Sequence, residues 1–314
     1  MTQSSTCVAE HQVTVHAPAK VIYQLIADVA NWPRMFPPTV HIEYLERNEL
    51  SERIQIWATA NGDAKTWISR RELDPTKMRV DFRQESSQDP VALMGGTWAI
   101  EPVSEDESLV RLLHDYRAVD DDPEKLTWIG EAVDRNSRSE LAALKTNAEL
   151  AVQAPDLFLT FADTVQVKGS GKDVYDFINE ANLWSERLPH VASVSMVEDS
   201  PGIQLLDMDT STKDGSVHTT RSVRVAFASD RIVYKQIEVP ALMTLHTGEW
   251  TIEETSGGSA VTSEHTVAIN PSNIEKVLGA GAGVDDARKF VRNALGTNST
   301  TTMEHAKEYA ESRR

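Results

Sequence analysis

The chain of 314 residues reads as α+β: two tandem domains, each an antiparallel seven-stranded sheet curled around a long C-terminal helix. Three observations predict this. The chain is written twice, each copy is a series of short alternating runs, and each copy closes on a long amphipathic run. The duplication shows first. "VTVHAPAKVIYQLIADVANWPRMFP" begins at Val13 and "VQVKGSGKDVYDFINEANLWSERLP" at Val165, a shift of 152 residues. That shift sets Val15 on Val167, Tyr23 on Tyr175, Ile26 on Ile178, Trp32 on Trp184 and Trp98 on Trp250. Near the end Asn136 falls on Asn298, a shift of 162, so the second copy carries about ten extra residues. A period this long is a whole duplicated domain, not a solenoid repeat. It divides the chain into 1–150, a linker at 151–160, and 161–314.

Each copy follows one plan. Alternating Val13 and Val15 predict a strand, and Ala17-Pro18 a helix start. Val21, Ile22, Leu25 and Ile26 recur at helical spacing. "NWPRMFPP" then interrupts the helix, because proline lacks an N–H and restricts the residue before it. Six strand-like runs follow near 39–47, 52–60, 64–73, 77–84, 91–101 and 108–117. "NG" at 61–62 and "DPTK" at 74–77 punctuate them. A helix is predicted from about Asp122 to Ala151. "DDPE" supplies its acidic, proline-containing start, and Leu126, Ile129, Val133, Leu141, Leu144 and Ala148 form its apolar stripe. A sheet curled around one such helix leaves an internal cavity between them.

Composition excludes several function classes. The formal charge is −17, which disfavours nucleic acid and anionic lipid as partners. No apolar run approaches a membrane span, so no membrane association is expected. The N-terminus lacks the pattern of a secretory signal, and the single cysteine, Cys7, cannot form a disulfide within the chain. A cytoplasmic location is the simplest expectation. Neither H-E-x-x-H nor G-x-S-x-G occurs, so no metal site or serine nucleophile is indicated. "LGAGAGVDD" at 278–286 follows the helical-looking "SNIEKVL" rather than a strand. It reads as a glycine-rich connection, not a dinucleotide loop, and no cofactor is expected.

Taken in order, "NWPRMF", "TWISRRELD", "MGGTW", "RLLHDYRAVDDDPE" and "VDRNSR" resemble the polyketide aromatase/cyclases of bacterial aromatic (type II) polyketide synthases. Two tandem copies match the di-domain subclass. The resemblance covers nearly the whole chain, is strongest in residues 10–150 and weakens after about 270. "QIWATANG" at 55–62 and "HDYRAVDDDPE" at 114–124 are most similar to members that act after ketoreduction. The resemblance implies the helix-grip (START/Bet v 1-like) fold. It also implies dehydration and aromatisation of the first ring (C7–C12) of a carrier-bound, C9-reduced polyketide. The expected partners are the acyl carrier protein bearing the chain, the ketosynthase/chain-length factor and the ketoreductase. The alternatives are a cyclase of non-reduced poly-β-ketones, and a carrier of hydrophobic ligands that does no chemistry.

Candidate residues follow from the strand "TWISRREL" at 66–73. Alternation puts Trp67, Ser69 and Arg71 on one face and Arg70 and Glu72 on the other. A strand arginine is ordinarily exposed, but Trp67 prefers burial. Arg71 also falls on the arginine of the family's W-x-S-x-R strand, which the resemblance aims into the pocket. There a guanidinium suits a developing enolate oxygen, and Ser69 orients the same oxygen or fills space. His114 shares a strand face with Val110, Leu112 and Tyr116. The bland reading is a core histidine; the resemblance places it in the pocket, where a neutral imidazole suits α-proton abstraction. The resemblance also turns Asn136 toward the cavity. It makes Phe36, Thr39, Trp67, Met94 and Trp98 walls, for which plain core packing fits nearly as well. In the second copy a constant shift puts Arg221 at position 69 and Val223 at position 71. His265, Asn298 and Trp250 match His114, Asn136 and Trp98, and His246 and Arg288 are further possibilities. Arg71→Ala is expected to leave the fold intact and divert a synthase to unaromatised products.

Overall fold

The computed structural model describes residues 6–60, 63–211 and 217–313. The "NG" turn predicted at 61–62 lies outside the described residues. The chain divides into two compact units, Met1–Pro155 and Asp156–Arg314. Residues 151–160, expected as a linker, are largely taken up by secondary structure, because the closing helix of the first unit reaches Gln153 and the first strand of the second begins at Phe158.

In the first unit β1 (Cys7–Val15) is followed by α1 (Ala19–Ala27), a short α2 (Trp32–Met35), and six strands. These are β2 (Thr39–Arg47), β3 (Ser51–Ala60), β4 (Asp63–Asp74), β5 (Arg79–Gln84), β6 (Val91–Pro102) and β7 (Ser108–Ala118). α3 (Pro123–Gln153) closes the unit. The strands form one sheet in the order β1-β7-β6-β5-β4-β3-β2, antiparallel throughout. α1 forms because Pro18 pre-sets the entry and Ala19, Ile22 and Ile26 bury one stripe. α3 starts where the Asp122 carboxylate accepts from the Glu124 and Lys125 amides, with Pro123 at the first helical position. Its buried stripe is Ile129, Val133, Ser137, Leu141, Leu144 and Ala148.

The second unit repeats the plan. It contains β8 (Phe158–Val167), α4 (Gly171–Asn179), α5 (Trp184–Arg187), β9 (Val191–Ser200), β10 (Ile203–Ser211) and β11 (Val217–Phe227). Then come β12 (Arg231–Glu238), β13 (Met243–Thr255), β14 (Gly258–Ile269), α6 (Ile274–Leu278) and α7 (Val284–Ser312). Its sheet order is β8-β14-β13-β12-β11-β10-β9. The extra residues of the second copy are spent on α6 and the glycine-rich connection into α7, so "LGAGAGVDD" is a link between helices.

Pairing corrects one register. In the first unit Ile54 lies opposite Ser69 and Glu52 opposite Arg71. In the second, Leu206 lies opposite Ser222 and Gln204 opposite Arg224. The counterparts of Ser69 and Arg71 are therefore Ser222 and Arg224, not Arg221 and Val223. The reason is local: Thr59 pairs with Ala64 but Ser211 with Val217, so the second connection is one residue longer. A slip of one residue moves every side chain of a strand to the other face.

Candidate functional site

In the first unit β4 turns Trp67, Ser69 and Arg71 inward, as alternation predicts. Arg71 is 2% exposed and meets the equally buried Glu52 from β3 through Nη1. It also donates to the C-terminal carbonyls of α1, Nη2 to Ile26 at 2.7 Å and Nη1 to Ala27 at 3.2 Å. The guanidinium carbon sits 5.0 Å from the Trp32 ring centre. Arg71 thus ties β3, β4, α1 and α2 together, with a cation at a helix C-terminus where the macrodipole favours it. Of its donors, Nε makes no hydrogen bond among the described residues. Ser69 donates to the Arg83 carbonyl at 3.2 Å. Trp67 packs with Ile42, Ile54 and Ile56, and Trp98 packs against Phe36 at 6.0 Å between ring centres. Thr39 is buried at the start of β2, and Met94 packs beside Tyr116, Ile129 and Val133.

His114 on β7 lies opposite Gly96, with Phe82 edge-on at 5.5 Å and Ser137 Oγ 3.3 Å from Nδ1. Desolvation, aided by nearby His11, holds its pKa down to about 4, so the imidazole is neutral at physiological pH. The residue of α3 that holds His114 is Ser137, from the buried stripe; Asn136 is exposed. At about 100° per residue Asn136 stands roughly 100° from the centre of that stripe and Glu140 only about 60°.

Glu140 was not singled out from sequence, since a glutamate in a long helix ordinarily faces water. Here it is partly buried, and no hydrogen bond or ion pair engages it among the described residues. Desolvation alone pushes its carboxyl up to about 7. The first unit therefore carries, on β7 and on the helix turn after Ser137, an imidazole held neutral and a carboxyl pushed up to about 7.

The second unit encloses a cavity of about 360 Å³. Trp250, His265, His246 and Asn298 border it, as do Ser222 and Arg224. Arg221 does not. It lies on the other pleat, 38% exposed, 3.3 Å from Asp207. Arg288 is engaged elsewhere: its Nη1 donates to the carbonyls of Asp156 and Phe158, both at 2.6 Å, anchoring the start of β8 to α7. His265 takes the register of His114, opposite Gly248 as His114 is opposite Gly96. Its surroundings are more polar. Its Nδ1 lies 3.1 Å from Tyr234 Oη and 3.0 Å from His246 Nε2, and its Nε2 lies 3.1 Å from Ser263 Oγ. Burial holds His265 down to about 4, and burial beside His265 holds His246 well below its ordinary value. The position of Glu140 is taken by Thr302, which donates to the Asn298 carbonyl at 3.0 Å.

Among the described residues no group of His, Cys, Asp and Glu is arranged to hold a metal, and no helix is long and apolar enough to cross a membrane.

Comparison with known proteins agrees with this architecture. Residues 6–149 match a family described as polyketide cyclase/dehydrase and lipid transport, and residues 167–294 match a second family of the same description. The granaticin polyketide synthase bifunctional cyclase/dehydratase of Streptomyces virginiae is 50% identical over 92% of this chain and 95% of its own. The actinorhodin counterpart of Streptomyces coelicolor is 46% identical over 94% of each. Among solved structures, the di-domain ARO/CYC BexL from the BE-7585A biosynthetic pathway is 60% identical. It superposes with a TM-score of 0.92 over 97% of this chain and 99% of its own. StfQ, from the steffimycin pathway, is 36% identical with a TM-score of 0.88 over the same shares. With both halves matched and relatives aligned end to end, this chain belongs to the di-domain polyketide aromatase/cyclases, the bifunctional cyclase/dehydratase enzymes of type II polyketide synthases.

Proposed function

We propose that the enzyme dehydrates and aromatises the first ring (C7–C12) of a C9-reduced polyketide, and that this chemistry belongs to the first unit. The chain would arrive on an acyl carrier protein, after the ketosynthase/chain-length factor has built it and a ketoreductase has reduced it. What supports the reading is two groups of the first unit, His114, held neutral beside Ser137, and Glu140, one turn further along the same helix with its carboxyl pushed up to about 7. Loss of water from a β-hydroxy ketone needs both. His114 removes a proton from the carbon between the carbonyl and the hydroxyl-bearing carbon, and the C–H electrons move into the enolate. The C–O bond then breaks, the electrons return to form C=C, and the Glu140 proton leaves with the hydroxyl as water. Transfer of a proton from imidazolium to carboxylate restores both groups. Ser137 fixes the imidazole through Nδ1. Arg71 acts chiefly as a positioning residue, with Nε making no hydrogen bond among the described residues. A non-reduced poly-β-ketone has no hydroxyl to lose until it cyclises, so a candidate acid in the same unit as the base favours the reduced substrate.

The test is turnover of a reduced polyketide mimic, a β-hydroxy ketone thioester, followed by the loss of water in its mass. His114→Gln and Glu140→Gln should each abolish water loss while the mimic still binds. Binding without water loss by the unaltered protein would instead identify a carrier.

A further inference from the structure

The two units share a buried arginine but not its charge balance. In the first, Glu52 compensates Arg71. In the second, the same pair of opposed positions holds Gln204 and Arg224. Gln204 is 1% exposed and turns its amide nitrogen away, to Asn179 Oδ1 at 3.1 Å and Glu198 Oε2 at 2.9 Å. Its Oε1 accepts no hydrogen bond among the described residues. Glu198 is also held by the Gly202 amide. Arg224 is 2% exposed, donates from Nη2 to the Ile178 carbonyl at 2.7 Å, and lies over Trp184. Its Nη1 makes no hydrogen bond among the described residues, and Glu198 acts on the guanidinium only through space. A buried N–H of a cation left unpaired is costly unless something completes it.

That arginine borders the cavity, and among the described residues around the cavity it is the only Arg, Lys, Asp or Glu. The walls are otherwise apolar or neutral, with Trp184, Met208, Leu242 and Trp250 among them. We propose that the cavity of the second unit binds a flat apolar molecule carrying an anionic oxygen, a carboxylate or an enolate, which Arg224 Nη1 meets as its counter-charge. The Glu52-to-Gln204 difference between the units makes room for that external anion. With Thr302 where the first unit has Glu140, the site has no acid to expel a hydroxyl and binds without dehydrating.

The full chain is tested by equilibrium binding, and variants confined to the second unit separate its site from that of the first. The probes are 2-naphthoate and its neutral isostere 2-naphthamide. A third probe, 2-acetyl-1-tetralone, reports an enolate by its absorption band below its free pKa. The expected result is at least about tenfold tighter binding of naphthoate than of naphthamide, or an enolate band induced on binding, according to which oxygen the site takes. Gln204→Glu, which supplies an internal carboxylate as in the first unit, should erase the anion preference and leave naphthamide unchanged. Exchanging the pair, Gln204→Glu with Glu198→Gln, keeps their mutual hydrogen bond and serves if the single variant misfolds. No anion preference in the unaltered protein, or a preference that survives these variants and Arg224→Gln, overturns the proposal.

Discussion

Replacing Glu140 by glutamine should stabilise the enzyme in base while disabling it. The carboxyl has no partner among the described residues, and the rise of its pKa from 4.5 to about 7 comes from desolvation alone. That rise corresponds to about 3 kcal/mol against the ionised form. Below about pH 4.5 the group is protonated whether the chain is folded or not, and it contributes nothing. Between pH 4.5 and about 7 the folded protein holds a proton that the unfolded chain has released, so stability falls as pH rises. Above about 7 the full penalty stands. Glutamine carries no charge at any of these pH values. Glu140→Gln should therefore match the parent within about 1 kcal/mol at pH 5 and exceed it by up to about 3 kcal/mol at pH 8. The assay is urea unfolding at the two pH values, followed by tryptophan fluorescence. Trp32, Trp57, Trp67, Trp98 and Trp128 all report from the first unit. Equal stability of variant and parent at both pH values would refute the account of Glu140 as a lone, desolvated carboxyl.

Turnover of the reduced mimic should follow a bell in pH. Its acid limb, near 4, comes from protonation of His114, and its basic limb, near 7, from ionisation of Glu140; log kcat/KM plotted against pH checks both. Arg71→Ala should cost the first unit about 3–5 kcal/mol, because it leaves the Glu52 carboxylate buried and unpaired. The buried pair argues against the expectation of an intact fold, and Arg71→Met with Glu52→Leu should recover much of the loss in a denaturation series. Gly96→Ala should prevent the first unit from folding, since a Cβ there would overlap the Leu113 carbonyl oxygen of the neighbouring strand; circular dichroism of the variant decides this.

How much of this was legible without coordinates follows from the range of the forces involved. The duplication, the strand alternation and the capped closing helix are local signals. The predicted runs at 39–47, 91–101 and 108–117 fall within a residue of β2, β6 and β7. The inward face of "TWISRREL" was also legible, because pleating alone sets which side chains travel together. What that face meets was not. Arg71 is joined to Glu52 and to the end of α1, groups 19 and 45 residues away, and only packing brings them to one point. The register of β11 turned on a single added residue in a connection. No constant shift reveals such an addition, because strand pairing fixes it. Glu140 escaped notice for the same reason. Helical periodicity places it at the edge of a stripe, but whether that edge meets water or protein depends on the sheet curled around it. By itself the sequence determined a duplicated sheet-and-helix domain and the family it belongs to, through patterns that repeat along the chain. Only the tertiary structure decided which buried charges are paired, which are left open and which carboxyl keeps its proton, because desolvation and charge pairing act through space.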